Sequence, residues 1–463
     1  MKKLIKKLLP VSVLNLYHRF VAQLASFFYA NPSEQMIVIG VTGTNGKTTT
    51  ANMIARALEA NGDKVGLTST ANFKIADKEW LNDKKMTMLG RFQLQRLLSK
   101  MVSAGCKYAV VETSSEGVKQ FRHSGINYDY VVFTNLTPEH IESHGSFENY
   151  KEAKGKLFAH LTEKKWKKID GREVRKISVI NIDDEYSDYF LSFRAEKKLK
   201  FSVGKTDVGI TTAEDVEVSL KGTSFRVGNV KFNLQLIGAF NAYNALPAIA
   251  IAVEEGMPMD KVKEKLEAVK VVPGRMEIID EGQPFSVIVD YAPEPFSLAK
   301  CYETIAALRQ NELGVKRIIH VLGSCGGGRD KARRPILGKM AGQVADIVIV
   351  TNEDPYDDEP MQIIEEVAAG AVEMGKVLDV NLFKILDRVE AINRAMQLAE
   401  PGDLVLLTGK GSEQAIAVEN GHYLPWDERE VARDALRMTG TMKQKCGFAT
   451  WQASKTSFDE RDK

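Results

Sequence analysis

Gly40-Val41-Thr42-Gly43-Thr44-Asn45-Gly46-Lys47-Thr48-Thr49-Thr50 sets glycines, a lysine and hydroxyls in the order that phosphate chemistry uses. Glycines let backbone N–H groups turn inward around phosphate oxygens, and a following helix N-terminus adds a favourable dipole. In that setting Gly43, Thr44, Asn45, Gly46 and Thr49 line the phosphates. Lys47 reaches the β- and γ-phosphates, and the Thr48 hydroxyl holds Mg²⁺. The P-loop pattern is met except at its first glycine, where Val41 stands. The plain alternative is an ordinary glycine turn before a helix, and Gly-Lys-Thr between a strand and a helix argues against it.

Other polar groups sit where apolar runs end. Tyr108-Ala-Val-Val-Glu112 finishes on a carboxylate, and Mg²⁺ is a hard ion that takes oxygen ligands. Phe133-Thr-Asn-Leu-Thr137 is followed by His140 and by His144-Gly145. His140 reads equally as a hydrogen-bonding loop residue and as a ligand beside a phosphate loop. Val179-Ile-Asn-Ile-Asp183-Asp184 ends a third run in two acids, and Asn241 and Asn244 open an alanine-rich helix. Asn241 suits helix capping.

These groups need a scaffold that presents strand ends together. Strand-like runs at 36–42, 64–69, 107–113, 130–135 and 176–182 alternate with helical patterns at 47–61, 92–104 and 150–162. That alternation predicts a mostly parallel sheet flanked by helices, with ligands collecting at the carboxyl ends of strands. Shorter alternating runs over 199–236, punctuated by glycines, predict an antiparallel patch. Val272-Pro-Gly-Arg-Met-Glu277 reads as a hinge. Beyond it, strands at 285–290, 316–322, 346–351 and 403–408 alternate with helices at 297–310, 333–344, 361–374 and 389–399, a second, Rossmann-like α/β unit. The expected organisation is a helical segment over 1–35, an ATP-binding domain over 36–273, a Rossmann-like domain over 274–440 and a polar, aperiodic tail over 441–463.

With 63 basic and 61 acidic residues, net +2, no global field points to nucleic acid. Four cysteines without CxxC spacing fit a reducing, cytoplasmic compartment, and the seven scattered histidines form no zinc pattern. Met1 to Ala30 opens with Lys2, Lys3, Lys6 and Lys7 and then carries Leu14, Tyr17, Val21, Leu24 and Phe28 at helical spacing. Asn15, His18, Arg19 and Gln23 interrupt the apolar run, against a signal peptide or a membrane span. Two readings stay open: a helix packed on the ATPase domain or another subunit, and a basic amphipathic helix on the inner membrane surface.

Thr-Gly-Thr-x-Gly-Lys-Thr-Thr, Glu112-x-Ser-Ser, Thr134-Asn-Leu-Thr-x-x-His140 and His144-Gly145 resemble motifs of the Mur ligase family, nearest its UDP-N-acetylmuramoyl-tripeptide synthetases. Val-Pro-Gly-Arg275-Met-Glu, Asp290-Tyr-Ala, Gly-Gly-Gly-Arg329-Asp330-Lys331 and Gly409-Lys-Gly continue the resemblance in family order over roughly residues 36–440. The resemblance implies an ATP-dependent ligase that joins an amino acid to a carboxylate of a nucleotide-sugar peptide of the cell wall. Lys47, Glu112, His140 and Lys154 would be catalytic. Thr48, Glu112, His140 and Lys154 would hold two Mg²⁺ ions, Lys154 after carbamylation, with Lys156 the fallback. Asn244 would read adenine, Arg275 and Asp290 would contact ATP, and the C-terminal domain would close over the amino acid. The acceptor side would use Thr87, Ser114, Arg122, Asp354, Tyr356, Gly409 and Glu413. Monomer or weak oligomer is the expected state.

The likeness weakens on the acceptor side. By the resemblance, the family's amino-terminal UDP-binding domain is expected to be absent, Met88 replaces a threonine, and Glu116, Pro293 and Ser412 replace histidines. Synthetases that add meso-diaminopimelate carry Asp-Asn-Pro-Arg, where this chain has Glu353-Asp354-Pro355-Tyr356 and then Asp357, Asp358 and Glu359. Tyrosine lacks the charged fork a second carboxylate needs, and the nearby acids would repel such a group and favour an ammonium. The exchange therefore favours lysine or ornithine as the added residue, unless Arg329 or Arg388 serves a second carboxylate. Folylpolyglutamate synthetase shares the architecture and is the rival enzyme. A non-catalytic, membrane-associated nucleotide-binding subunit is the rival of another class.

Overall fold

The computed structural model describes residues 10–139, 144–310, 315–328 and 331–439. His140, Arg329, Asp330 and the 441–463 tail lie outside the described residues. The chain forms two compact units, Met1–Pro273 and Gly274–Lys463.

The first unit is organised on strand Ile37–Thr42, which is buried along its whole length. Its side chains alternate: Ile37, Ile39 and Val41 enter one apolar cluster, and Val38 with Met36 enters the other. A strand buried on both faces reads as a continuous apolar run, and this one does. Tyr108–Glu112 and Tyr130–Phe133 flank it in parallel, followed outward by Val65–Thr68 and Ile177–Asn181. The register pairs Val41 with Glu112 and Thr42 with Phe133, so the three carboxyl ends open at one level. Helices Lys47–Ala57 and Phe240–Glu254 cover one face, and Arg91–Ser103 and Phe147–Leu161 cover the other.

The eleven-stranded sheet extends beyond the predicted strands. A hairpin, Asn72–Ile75 with Lys78–Leu81, adds one antiparallel edge. On the other side, Lys197–Val203 and Ile210–Ser219 continue the parallel order before Gly222–Val227 and Val230–Leu234 turn antiparallel. The antiparallel prediction for 199–236 therefore holds only from the Ile210–Ser219 pairing onward. Short alternating runs do not encode strand direction, which the return path of the chain decides.

In the second unit, five parallel strands stand in the order Ser286–Val289, Leu404–Leu407, Ile318–Leu322, Ile347–Thr351, Leu382–Ile385, with Glu277–Ile278 antiparallel on one edge. Helices Pro295–Leu308, Arg333–Val344, Pro360–Glu373 and Arg388–Leu398 connect them.

Candidate functional site

The glycine loop joins its strand to helix Lys47–Ala57 through Gly46, whose φ of 78° lies in the left-handed region that glycine adopts without strain. Asn135 clamps the loop from the neighbouring strand end: its Oδ1 accepts from the Asn45 amide at 2.8 Å and its Nδ2 donates to the Asn45 carbonyl at 3.1 Å. Thr134 Oγ1 donates to the same carbonyl at 2.7 Å. Thr44 N–H bonds the Asn135 carbonyl, and its hydroxyl meets Tyr150 at 3.1 Å. The loop is thus held open by its neighbours, and Lys47 Nζ folds back onto the Thr44 carbonyl at 2.6 Å.

Glu112 is the hub beside it. The side chain is buried at 1% exposure and accepts the Thr48 hydroxyl at 3.0 and 3.2 Å. Thr70 supplies two more donors, its N–H at 2.7 Å and its hydroxyl at 2.9 Å, and that hydroxyl also bonds Thr87 Oγ1 at 3.0 Å. Residue spacing gave no sign of Thr70. The available signal was its place two residues past strand Val65–Thr68, at the carboxyl end of a strand that runs parallel to the one ending in Glu112. A buried carboxylate facing a hydroxyl at a phosphate loop fits Mg²⁺, which is bound through one or two protein oxygens plus phosphates. Among the described residues no three His, Cys, Asp or Glu side chains cluster as an all-protein cage.

Lys154 comes from helix Phe147–Leu161 and is buried at 1% exposure. Its Nζ donates to the Gly43 carbonyl at 2.6 Å and lies 4.4 Å from the centre of the Tyr150 ring. Burial, reinforced by the nearby Lys47 charge and opposed by Glu139, holds its amine well below the usual lysine range. Lys154 is thus not a solvated surface lysine, whereas Lys156 is exposed on the same helix. His144, also buried, stacks edge-on against Tyr150 at 5.2 Å, and burial lowers its pKa.

Asn244 lies behind the loop, accepting from Thr50 Oγ1 at 3.3 Å and donating to Asn241 Oδ1 at 3.0 Å. Its amide braces the loop–helix junction. Asn241 does not cap the helix: the cap position is Ala239, and Asn241 Nδ2 donates back to the Ile237 carbonyl at 2.9 Å. Asp184 accepts the Leu136 amide at 2.8 Å and so fixes the strand end carrying Asn135.

Thr87, Ser114 and Arg122 gather on the Glu112 side. Ser114 caps helix Ser115–Lys119 by accepting from the Gly117 amide. Arg122 bonds the Met88 carbonyl and the Gln120 side chain, and Arg91 bonds the Gln120 carbonyl. Burial lowers the pKa of both guanidiniums, which repel each other. Arg91, a second half-buried cation here, was not among the sequence candidates.

In the second unit Asp354, Gly409 and Glu413 converge through Lys410. Lys410 Nζ donates to Asp354 at 3.0 Å, to Glu413 at 2.6 Å and to the Ala415 carbonyl at 2.8 Å. Burial pulls its pKa down, but the two carboxylates outweigh that and raise it. Gly409 lies against the buried Glu353 carboxylate, which also accepts the Cys325 thiol at 2.8 Å. Tyr356, at a φ of 53°, rests against Gly327. Asp290 accepts the Met276 and Ala292 amides, and Arg275 stacks on Tyr291 at 4.7 Å.

Two sequence expectations change in this unit. Arg388 cannot serve a substrate carboxylate, because Glu428 takes it in a fork at 2.5 and 2.9 Å and the Thr408 and Asn352 carbonyls take the rest. The acids after Tyr356 are also not a free negative patch. Asp358 pairs with Arg334 at 3.0 Å, Glu359 caps helix Pro360–Glu373, and Asp357 accepts the Asn420 amide.

A family model of the Mur ligase middle domain matches residues 41–252, and one of the Mur ligase glutamate ligase domain matches 274–411. The UDP-N-acetylmuramyl-tripeptide synthetase of Roseiflexus sp. (strain RS-1) is 41% identical over 429 residues, covering 91% of this chain and 82% of the relative. The UDP-N-acetylmuramoyl-L-alanyl-D-glutamate–2,6-diaminopimelate ligase of Geobacillus kaustophilus (strain HTA426) is 37% identical, covering 93% and 85%. A solved structure of a ligase of that second name superposes with a TM-score of 0.59 at 27% identity, covering 91% of this chain and 83% of the other. Folylpolyglutamate synthase of Mycobacterium tuberculosis superposes at 0.64 with 19% identity, covering 84% and 92%, a likeness of fold alone.

Proposed function

This chain belongs to the Mur ligase family and is an ATP-dependent acid–amino-acid ligase, and on that premise we propose that it extends the peptide of a UDP-muramyl precursor of the cell wall. A substrate carboxylate attacks the γ-phosphate of ATP, breaking the bond to ADP and forming an acyl phosphate. The amine of the incoming amino acid then displaces inorganic phosphate and leaves an amide. The observation that carries the reading is Glu112, buried at the phosphate loop between Thr48 and Thr70 and linked through Thr70 to Thr87. One carboxylate thus bonds the phosphate loop directly and reaches the proposed acceptor side through Thr70.

Mur ligases use ATP with Mg²⁺, which when bound neutralises the charge of the transferring phosphoryl group. Thr48 and Glu112 would hold a first ion. Lys154 supports a second, because an amine held below its usual pKa is neutral often enough to take up CO₂, and the carbamate is an anionic oxygen ligand. Lys47 positions the β- and γ-phosphates, and Asn135 keeps the loop open for them. Arg122 and Arg91 offer charge for an acidic acceptor. We place the enzyme in the cytoplasm, as a monomer or weak oligomer touching the inner membrane surface through residues 1–30. The identity to tripeptide synthetases favours the wall precursor over a folate.

Phosphate release across UDP-muramyl peptides, folates and amino acids tests this. Turnover is expected only with a UDP-muramyl peptide and an amino acid together. Turnover with a folate and glutamate instead would assign the chain to the rival chemistry, and ATP without any acceptor-dependent turnover would favour a non-catalytic nucleotide-binding role.

A further inference from the structure

Helix Val11–Phe28 touches the body of its unit with its small residues. Ala22 and Ala25 are at most 1% exposed, and Gly125 is the residue that lets the Ala22 carbonyl come close, since a Cβ there would collide with it. The large side chains point away: Leu16, Phe20, Phe27 and Phe28 are 61–75% exposed, with Val13, Tyr17 and Leu24 half exposed beside them. They recur at helical spacing, so the exposure is one continuous stripe. The helix is not long and apolar enough to cross a membrane.

A second feature adjoins it. The hairpin of strands Lys167–Ile169 and Arg172–Val174 follows Lys164, Lys165 and Trp166, and Trp166 is 63% exposed. Asn127 ties the two together: its Nδ2 donates to the Lys165 carbonyl at 3.2 Å and to Glu34 at 2.9 Å. Lys167 Nζ donates to the carbonyl of Ser33, five residues after the helix ends, at 2.5 Å. Around the two buried lysines that anchor the hairpin to Asp129, the outward residues Lys165, Lys168, Arg172 and Arg175 are exposed. Lys168 reaches Glu173 at 3.6 Å and Arg172 reaches Glu255 at 3.5 Å.

Charge selects the occupant. Residues 1–33 hold Lys2, Lys3, Lys6, Lys7 and Arg19 and no acid, leaving 58 basic against 61 acidic residues in the rest, a balance of −3. A second copy of this face would bring like charge against like charge. We propose that the helix and the Trp166 hairpin form one docking surface for an anionic phospholipid membrane, the apolar stripe entering the headgroup boundary and the basic residues meeting lipid phosphates. Tryptophan beside lysines is the side-chain combination favoured at that boundary. This builds on the placement of residues 1–30 at the inner membrane surface and is independent of the ligase chemistry.

The full chain should cosediment with phosphatidylcholine–phosphatidylglycerol vesicles and not with phosphatidylcholine alone, and added salt should release it. Phe20→Glu with Phe27→Glu, and separately Lys164→Glu with Lys165→Glu, should each weaken binding at least about tenfold. These side chains are exposed or at the edge of exposure, so melting temperature and phosphate release in solution should stay at the parent's values. Trp166 emission, taken as the difference between parent and Trp166→Phe, should shift to the blue on anionic vesicles, a readout that stands even if the Phe20→Glu/Phe27→Glu double variant misfolds. Absence of vesicle binding by the parent would overturn the proposal while leaving the ligase reading intact. So would a dimer that Phe20→Glu dissociates in the absence of vesicle binding, or displacement by polyuridylate combined with full binding by the Phe20→Glu/Phe27→Glu double variant.

Discussion

At the scale of single residues, Glu112 and Lys154 make the sharpest demands. Glu112→Ala removes the carboxylate that accepts the Thr48 hydroxyl, and turnover should fall by about a hundredfold or more. Lys154→Ala should be inactive and partly rescued by a small carboxylate in place of the carbamate; full activity in steady-state assay would exclude the role and point to Lys156. Lys154 also has a stability signature. Its amine is held below the usual lysine range in the fold, so the unfolded chain binds more protons between the two pKa values, and stability contributed at this site rises with pH there. In bicarbonate-free buffer, Lys154→Met should melt higher than the parent at neutral pH, with the gain shrinking as pH climbs toward the ordinary lysine pKa. A gain independent of pH would mean that the buried amine is not the cause.

At the scale of elements, hydrogen bonds between strand ends set the site. Thr70 lies two residues beyond the end of one strand, Glu112 ends another, and Thr87 lies in the segment that returns from the edge hairpin. Thr70→Val keeps the shape but removes the hydroxyl shared by Glu112 and Thr87. Leaving that buried carboxylate short of a donor costs about 1–3 kcal/mol, readable as a lower denaturation midpoint together with roughly tenfold lower turnover. In the second unit, Lys410 bridges Asp354 and Glu413. Lys410→Met strands the buried Asp354 and the half-buried Glu413, a loss of about 3–5 kcal/mol, and adding Asp354→Asn should recover part of it in the same melting experiment. No recovery would show that the lysine's packing, rather than its charge, supports the loop.

At the scale of the whole molecule, the open question of chemistry is which amino acid the ligase adds. By the family resemblance, Tyr356 would stand where an arginine fork holds a second carboxylate, and Arg388 is taken up by Glu428 and the Thr408 and Asn352 carbonyls. With the following acids engaged by Arg334, a helix cap and the Asn420 amide, the argument rests on the missing arginine and not on repulsion. A charge-assisted pair contributes about 1.5–3 kcal/mol, so lysine should outcompete meso-diaminopimelate by roughly tenfold or more at equal concentration. Clear preference for meso-diaminopimelate in a mixed-substrate assay would assign the carboxylate contact to another residue.

The sequence by itself determined the phosphate loop, the strand ends that carry Glu112 and Asn135, and the two α/β units, because glycine turns and the periods of strand and helix are local properties of the chain. It also showed an apolar face on residues 11–28. Only the tertiary structure decided which way that face points, since a periodic pattern is the same whether small residues such as Ala22 or large ones such as Phe20 meet the body. It alone brought Thr70 to Glu112, a contact between residues 42 apart made by strand register. The direction of Lys197–Val203 and Ile210–Ser219, the engagement of Arg388 and the lowered pKa of Lys154 were likewise invisible in the chain. Each depends on partners distant in sequence, and on burial, which is a property of the folded neighbourhood and not of the residue.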